Sequence, residues 1–108
     1  MKESLFITPV PSILRKMGSD ICDGRRRRKI TMALMAERAG INVNTLSKIE
    51  KGNPGVSIGA YASVLFILGM INRLGDIADA RHDLTGQLLA HEQLPLRVRY
   101  KTKGRKNG

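Results

Sequence analysis

The stretch from Thr31 to Glu50 leaves the chain few ways to fold. Gly40 sits in its middle, with a helix-length run on each side. Thr31 can cap the first run with its hydroxyl, and Asn42 can cap the second. Leu34, Met35 and Ala39 recur at helical spacing, which predicts that they face a core. Ala36 is small at the point where two helices must approach. Gly40 can take the positive φ that ends one helix and opens a tight turn. Ile41 then plugs the corner. Leu46 and Ile49, at i and i+3, define the inward side of the second run. Val43, Asn44, Ser47 and Lys48 are left outside.

Two short helices joined at a glycine have the layout of a helix-turn-helix, whose second helix enters the major groove of DNA. An outer face that is polar and weakly basic near the helix N-terminus suits such a groove. An ordinary helical hairpin with no ligand shares the pattern, so the rest of the chain has to separate the two.

Charge favours the first. Lys and Arg number 19 against 9 Asp and Glu, a formal charge of +10 on 108 residues. That exceeds what solubility requires and attracts polyanions, most simply nucleic acid. The length suits one domain with a tail. Aromatic residues make up 4% and Trp is absent, so the expected core is aliphatic. Cys22 is the only cysteine; it forms no intrachain disulfide or metal cluster and reads as a small apolar filler. Nothing demands an oxidising compartment, and a cytoplasmic location is the expectation. The N-terminus lacks a basic-then-apolar signal pattern. The longest apolar stretch, Ile58 to Ile71, is too short to span a bilayer.

Little here resembles catalysis. No Gly-rich loop runs into Lys-Ser/Thr, and no nucleophile–base arrangement can be argued. His82 and His91 have no ligand neighbours at metal-binding spacing. Asp76, Asp79 and Asp83 read as a solvated helix face. Two Phe and two Tyr make no stacking platform for single strands; Tyr61 and Tyr100 read as packing residues. The expectation is a non-enzyme without cofactor or metal.

Along the chain, residues 1–11 read as an extended arm, with Ser4–Thr8 able to add a short strand or pack on a neighbour. Ser12 to about Lys29 reads as a first helix, with Ile13, Leu14, Met17, Ile21 and Cys22 inward. Gly18 and Gly24 weaken it unless another helix approaches closely there. Lys51–Gly55 is a loop, and Ser57 caps a helix to about Gly69. Ile58, Tyr61, Ala62, Leu65 and Leu68 form one stripe of that helix. Val64, Phe66, Ile67 and Met70 are apolar on its other faces. A helix apolar nearly all round needs burial nearly all round, which in so small a chain predicts a dimer interface. Its residues are expected to be Val64, Ile67, Met70 and Ile71. A further helix fits Asn72–Arg81, with Leu74, Ile77 and Ala78 inward. A weak one fits Asp83–Glu92. Leu96, Val98 and Tyr100 then alternate with Arg97, Arg99 and Lys101 as an edge strand would. The basic end reads as a flexible arm. The domain is thus expected over 12–81, with a helix or strand and a basic tail over 82–108.

Thr31, Ala36, Gly40, Ile41, Thr45, Leu46, Ile49 and Glu50-Lys51-Gly52, set in this helical order, resemble the Cro/CI-type (XRE) helix-turn-helix family over roughly Met17 to Leu74. Three further pieces follow: Pro54-Gly-Val-Ser-Ile-Gly-Ala-Tyr-Ala, then Val-Leu-Phe-x-Leu-Gly-Met, then Leu-Pro-x-Arg-Val-Arg. They are similar to HipB-type antitoxins, which are encoded beside HipA-type kinase toxins. The resemblance implies an all-α, five-helix DNA-binding fold. It implies that Val43, Asn44 and Lys48 reach base edges, and that Asn42 and Thr45 contact phosphate or sugar. It also implies that Arg25 and Glu50 form a buried ion pair joining the first helix to the end of the recognition helix. One arginine of the run Arg25–Lys29 would then be structural. Met32 departs from the family, which often has a phosphate-binding Gln there; the clamp would come from the backbone of Thr31 or from Arg28.

Further phosphate candidates are Arg28, Lys29, Lys51 and Asn53. The expected function is a sequence-specific, double-stranded-DNA-binding repressor, a homodimer on a palindromic operator, in the manner of a HipB-like antitoxin controlling its own operon. One alternative is an antitoxin whose main task is neutralising a HipA-like kinase toxin, the basic arm Arg97–Lys106 docking on that partner or on DNA. Another is a basic RNA- or ribosome-associated protein.

Overall fold

The structure, a computed structural model, describes the backbone of residues 8–97 and the side chains of residues 8–92. The readings for Ser4–Ile7, Val98, Tyr100 and the basic arm beyond Arg97 lie outside the described residues. Among those described, every regular element is helical. The chain divides into two compact units, Met1–Leu74 and Gly75–Gly108.

The first unit is built from α1 (Val10–Arg27), α2 (Met32–Ala39), α3 (Val43–Glu50), α4 (Ile58–Ile67) and the short α5 (Ile71–Gly75), whose last residue crosses the boundary. α1 starts earlier than the periodicity predicts. Pro11 lies in its first turn rather than in an extended arm, because the N–H that proline lacks would be unpaired there anyway. Side-chain caps start the next three helices as expected. Thr31 Oγ1 accepts from Leu34 N–H at 3.1 Å, Asn42 Oδ1 from Thr45 N–H at 2.8 Å, and Ser57 Oγ from Ala60 N–H at 3.1 Å.

All four long helices of this unit end alike. The residue after the last turn takes positive φ: Lys29 (58°), Gly40 (72°), Gly52 (74°) and Gly69 (78°). The next N–H then reaches back five residues: Ile30 to Arg25 O, Ile41 to Ala36 O, Asn53 to Lys48 O and Met70 to Leu65 O, at 2.8–3.2 Å. This is the Schellman closure, which satisfies the orphan carbonyls of a helix end.

The core comprises Ile21, Met35, Ala36, Leu46, Ile49, Tyr61, Val64 and Leu68, with no large aromatic except the one tyrosine. α1 packs on α3, and α2 on both α3 and α4. Gly18 explains the α1–α3 approach: a Cβ there would stand 2.5 Å from Ile49 O and 2.6 Å from Gly52 N. Three core positions expected in this unit are exposed: Ile13, Leu34 and Ile58. Each sits at the edge of its helix's apolar stripe, where spacing alone cannot tell rim from interior.

The second unit corrects three expectations. The helix expected over Asn72–Arg81 stops at Gly75, and Ile77 and Ala78 are exposed. Gly75 favours leaving the helix. Asp79 then turns its carboxylate onto Arg81 N–H at 2.8 Å, starting the 3₁₀ turn Ala80–His82 instead. The Arg81 guanidinium also bonds Asp79 and Asp76, so these acids are partnered rather than merely solvated. α6 (Leu84–Arg97) follows, Asp83 Oδ1 accepting from Gly86 N–H at 2.9 Å. It runs through Pro95, so Leu96 and Arg97 are helical and the edge-strand reading fails for them. Among the described residues no helix is long and apolar enough to cross a membrane.

Candidate nucleic-acid interface

α3 is held as a rod between two fixed ends. At its start, the Asn42 cap and the αL glycine at 40 set the angle to α2. Leu46 and Ile49 anchor its inner side, both fully buried. At its end, Arg25 of α1 grips Glu50 with two bonds, Nε to Oε2 at 2.7 Å and Nη2 to Oε1 at 3.1 Å. Both side chains are only 9% exposed. Arg25 Nη1 also donates to Ile30 O at 2.9 Å. Nη2 lies 3.8 Å from Cys22 Sγ. The Glu50 carboxylate holds the guanidinium more firmly protonated than usual, against the cost of burial. Burial, reinforced by Glu50, pushes the Cys22 thiol up, away from thiolate reactivity.

The opposite side of the rod is open. Val43 is 45% exposed, Asn44 and Lys48 are exposed, and Thr45 and Ser47 are half-buried. Thr45 and Lys48 line a groove of ≈ 360 Å³ with Asn53, Gly55, Val56, Ser57 and Ala60. The groove therefore runs from α3 to the capped N-terminus of α4, where unpaired backbone N–H groups favour an anion. Lys51 is exposed next to Glu50. Because Arg25 binds Glu50, the last turns of α1 and α3 lie side by side, and the exposed Arg26, Arg27 and Lys29 follow Arg25 directly.

Several expected phosphate residues have other work. Arg28 donates to Gly24 O at 2.9 Å and to Leu68 O at 3.0 Å, tying the ends of α1 and α4 together. Its charge meets the negative ends of two helices. Periodicity carries no sign of that bond, since its partner lies forty positions away. Asn53 uses Oδ1 on Gly55 N–H and its carbonyl on the Tyr61 hydroxyl, at 2.6 and 2.8 Å. Thr31 and Asn42 spend their side-chain oxygens as caps. Arg26 and Arg27, not singled out from sequence, remain exposed cations.

The expected dimer residues divide. Val64 is 0% exposed and belongs to the core, so it is not available to a partner. Met70 and Ile67 are half-buried against that core, and Ile71 is half-buried. The loop after α4 folds back through the Gly69 closure, which turns Met70 inward. No protein-family model, characterised protein or solved structure matches this chain.

Proposed function

We propose that this chain is a sequence-specific, double-stranded-DNA-binding transcriptional regulator of the Cro/CI helix-turn-helix type, acting as a homodimer on a palindromic operator. The observation that carries the reading is α3 itself: its inner side is locked in the core, while Val43, Asn44 and Lys48 stand exposed along the other side. In this reading Asn44 bonds an adenine edge, Lys48 reaches a guanine acceptor, and Val43 touches a thymine methyl. Lys51, Lys29, Arg26 and Arg27 neutralise phosphates, and Thr45 with the α4 N-terminus holds one more. Residues 8–74 carry eleven Lys and Arg against four Asp and Glu, which supplies the long-range attraction.

Selection of bound duplexes from a random pool at physiological salt tests it. The expected result is an inverted repeat with half-sites about one helical turn apart. The Asn44→Ala/Lys48→Ala double variant should melt as the parent does and lose the operator's advantage, each good base pairing being worth about 1–3 kcal/mol. Retained discrimination in that variant, or unselective binding to structured RNA in place of duplex preference, overturns the reading.

A further inference from the structure

Asn53 is pinned at both of its oxygens. Its side-chain Oδ1 accepts from Gly55 N–H at 2.6 Å. Its carbonyl accepts from the Tyr61 hydroxyl at 2.8 Å and from Val56 N–H at 3.4 Å. Its own N–H closes α3 by donating to Lys48 O at 2.9 Å. Gly55 leaves room for the first of these bonds, since a Cβ there would crowd Oδ1 at 3.1 Å. That bond needs an oxygen, so it also settles which branch of the carboxamide is which. The other branch, Nδ2, carries two donors that meet no acceptor among the described residues. Asn53 lines the groove between α3 and α4 beside Thr45 and Lys48. The Tyr61 side chain is packed in the core, with the residue only 5% exposed, so its hydroxyl is a fixed post for the loop.

We propose that Asn53 donates through Nδ2 to one backbone phosphate of a bound duplex, and that Tyr61 is the positioning residue that keeps it aimed, through its hydroxyl bond to the Asn53 carbonyl. The inference rests on the DNA reading above and adds to it a phosphate donor and the group that sets that donor. A neutral amide can bond a phosphate oxygen and fix register while carrying no sequence information. Its value lies in orientation, because an amide already held in place gives up little freedom on binding. Without the hydroxyl, the Asn53 carbonyl keeps only the long bond from Val56, and the peptide that carries the side chain can turn. Tyr61 itself touches no phosphate; it acts through Asn53.

Affinities of the full chain for the selected operator and for an unrelated duplex test it. Tyr61→Phe keeps the ring and should bind both roughly fivefold more weakly, because a phosphate contact serves all sequences alike. The slope of log K against log salt should stay as it is, since no cation is lost. Asn53→Asp keeps an acceptor for Gly55 N–H and turns the donor branch into a charged oxygen. It should weaken both affinities by about tenfold or more. Adding Tyr61→Phe to Asn53→Asp should then raise affinity again, because the released carboxylate can turn away from the phosphate. A merely structural hydroxyl would lower affinity in both backgrounds. Should Tyr61→Phe fail to fold, Asn53→Asp alone decides. An Asn53→Asp affinity equal to the parent's overturns the proposal. So does a Tyr61→Phe protein that binds as the parent does, or one that lowers affinity further on top of Asn53→Asp. A parent that binds no duplex overturns the DNA reading and this inference with it; a parent that binds while the variants match it overturns this inference alone.

Discussion

Arg25 shows how far a residue's role depends on its partner rather than its neighbours. Four of the five residues Arg25–Lys29 are exposed, and one is buried in a bidentate pair with Glu50. Breaking such a pair leaves an uncompensated charge inside, at a cost of about 3–5 kcal/mol, whereas replacing both partners with apolar residues is often near neutral. Arg25→Met should therefore destabilise strongly in urea melts. Adding Glu50→Leu should return most of the loss, less what the Ile30 carbonyl forfeits. Tyr61 gives a pH counterpart. Burial pushes its phenol above the ordinary value, and its hydroxyl donates to Asn53 O, so the folded state prefers the neutral form. The stability this contributes is full below the unfolded phenol's pKa, about 10, and falls as pH rises towards the folded one. Alkaline melts should show that fall, and Tyr61→Phe should remove this phenol's part of it. A Tyr61 phenolate signal appearing at the ordinary pKa would contradict this.

Helix ends are where the elements were set. Three of the four αL closures use glycine, at Gly40, Gly52 and Gly69, and of these the sequence marks only Gly40 as such a turn. The fourth places Lys29 at φ 58°, a conformation costing a side-chain-bearing residue about 1 kcal/mol or more. Lys29 is exposed, so Lys29→Gly loses no packing. Relief of that strain, partly offset by the greater freedom of glycine in the unfolded chain, should stabilise by about 0.5 kcal/mol, or a few degrees in Tm. A lowered Tm would mean the Lys29 side chain does more than its exposure indicates. If Lys29 also meets a phosphate, the same variant binds operator more weakly while melting higher.

For the whole molecule, the charge excess and the site work together only if the right cations are free. Each phosphate neutralised on duplex DNA contributes about −0.9 to the slope of log K against log salt. Lys29→Ala and Lys51→Ala should each flatten that slope by about one unit. Arg28→Ala should chiefly lower stability, because its guanidinium is already bound to the ends of α1 and α4. A slope that Arg28→Ala flattens as fully as Lys51→Ala would show that Arg28 leaves its carbonyls on binding.

Local chemistry was legible from Thr31 to Ser57. Thr31, Asn42 and Ser57 as caps, Gly40 as the turn, and Leu46 and Ile49 as the inner side of α3 all follow from interactions within a few residues, which the sequence holds side by side. The side that each apolar residue of α4 would face was not legible. That helix is apolar almost all round, so periodicity gives no direction. Only its packing against α2 decided that Val64 goes in and Phe66 stays out. The same holds for Arg28. A guanidinium in a basic run looks free until folding brings the carbonyl of Leu68 within 3.0 Å of it, because partners distant in sequence are chosen by tertiary geometry alone.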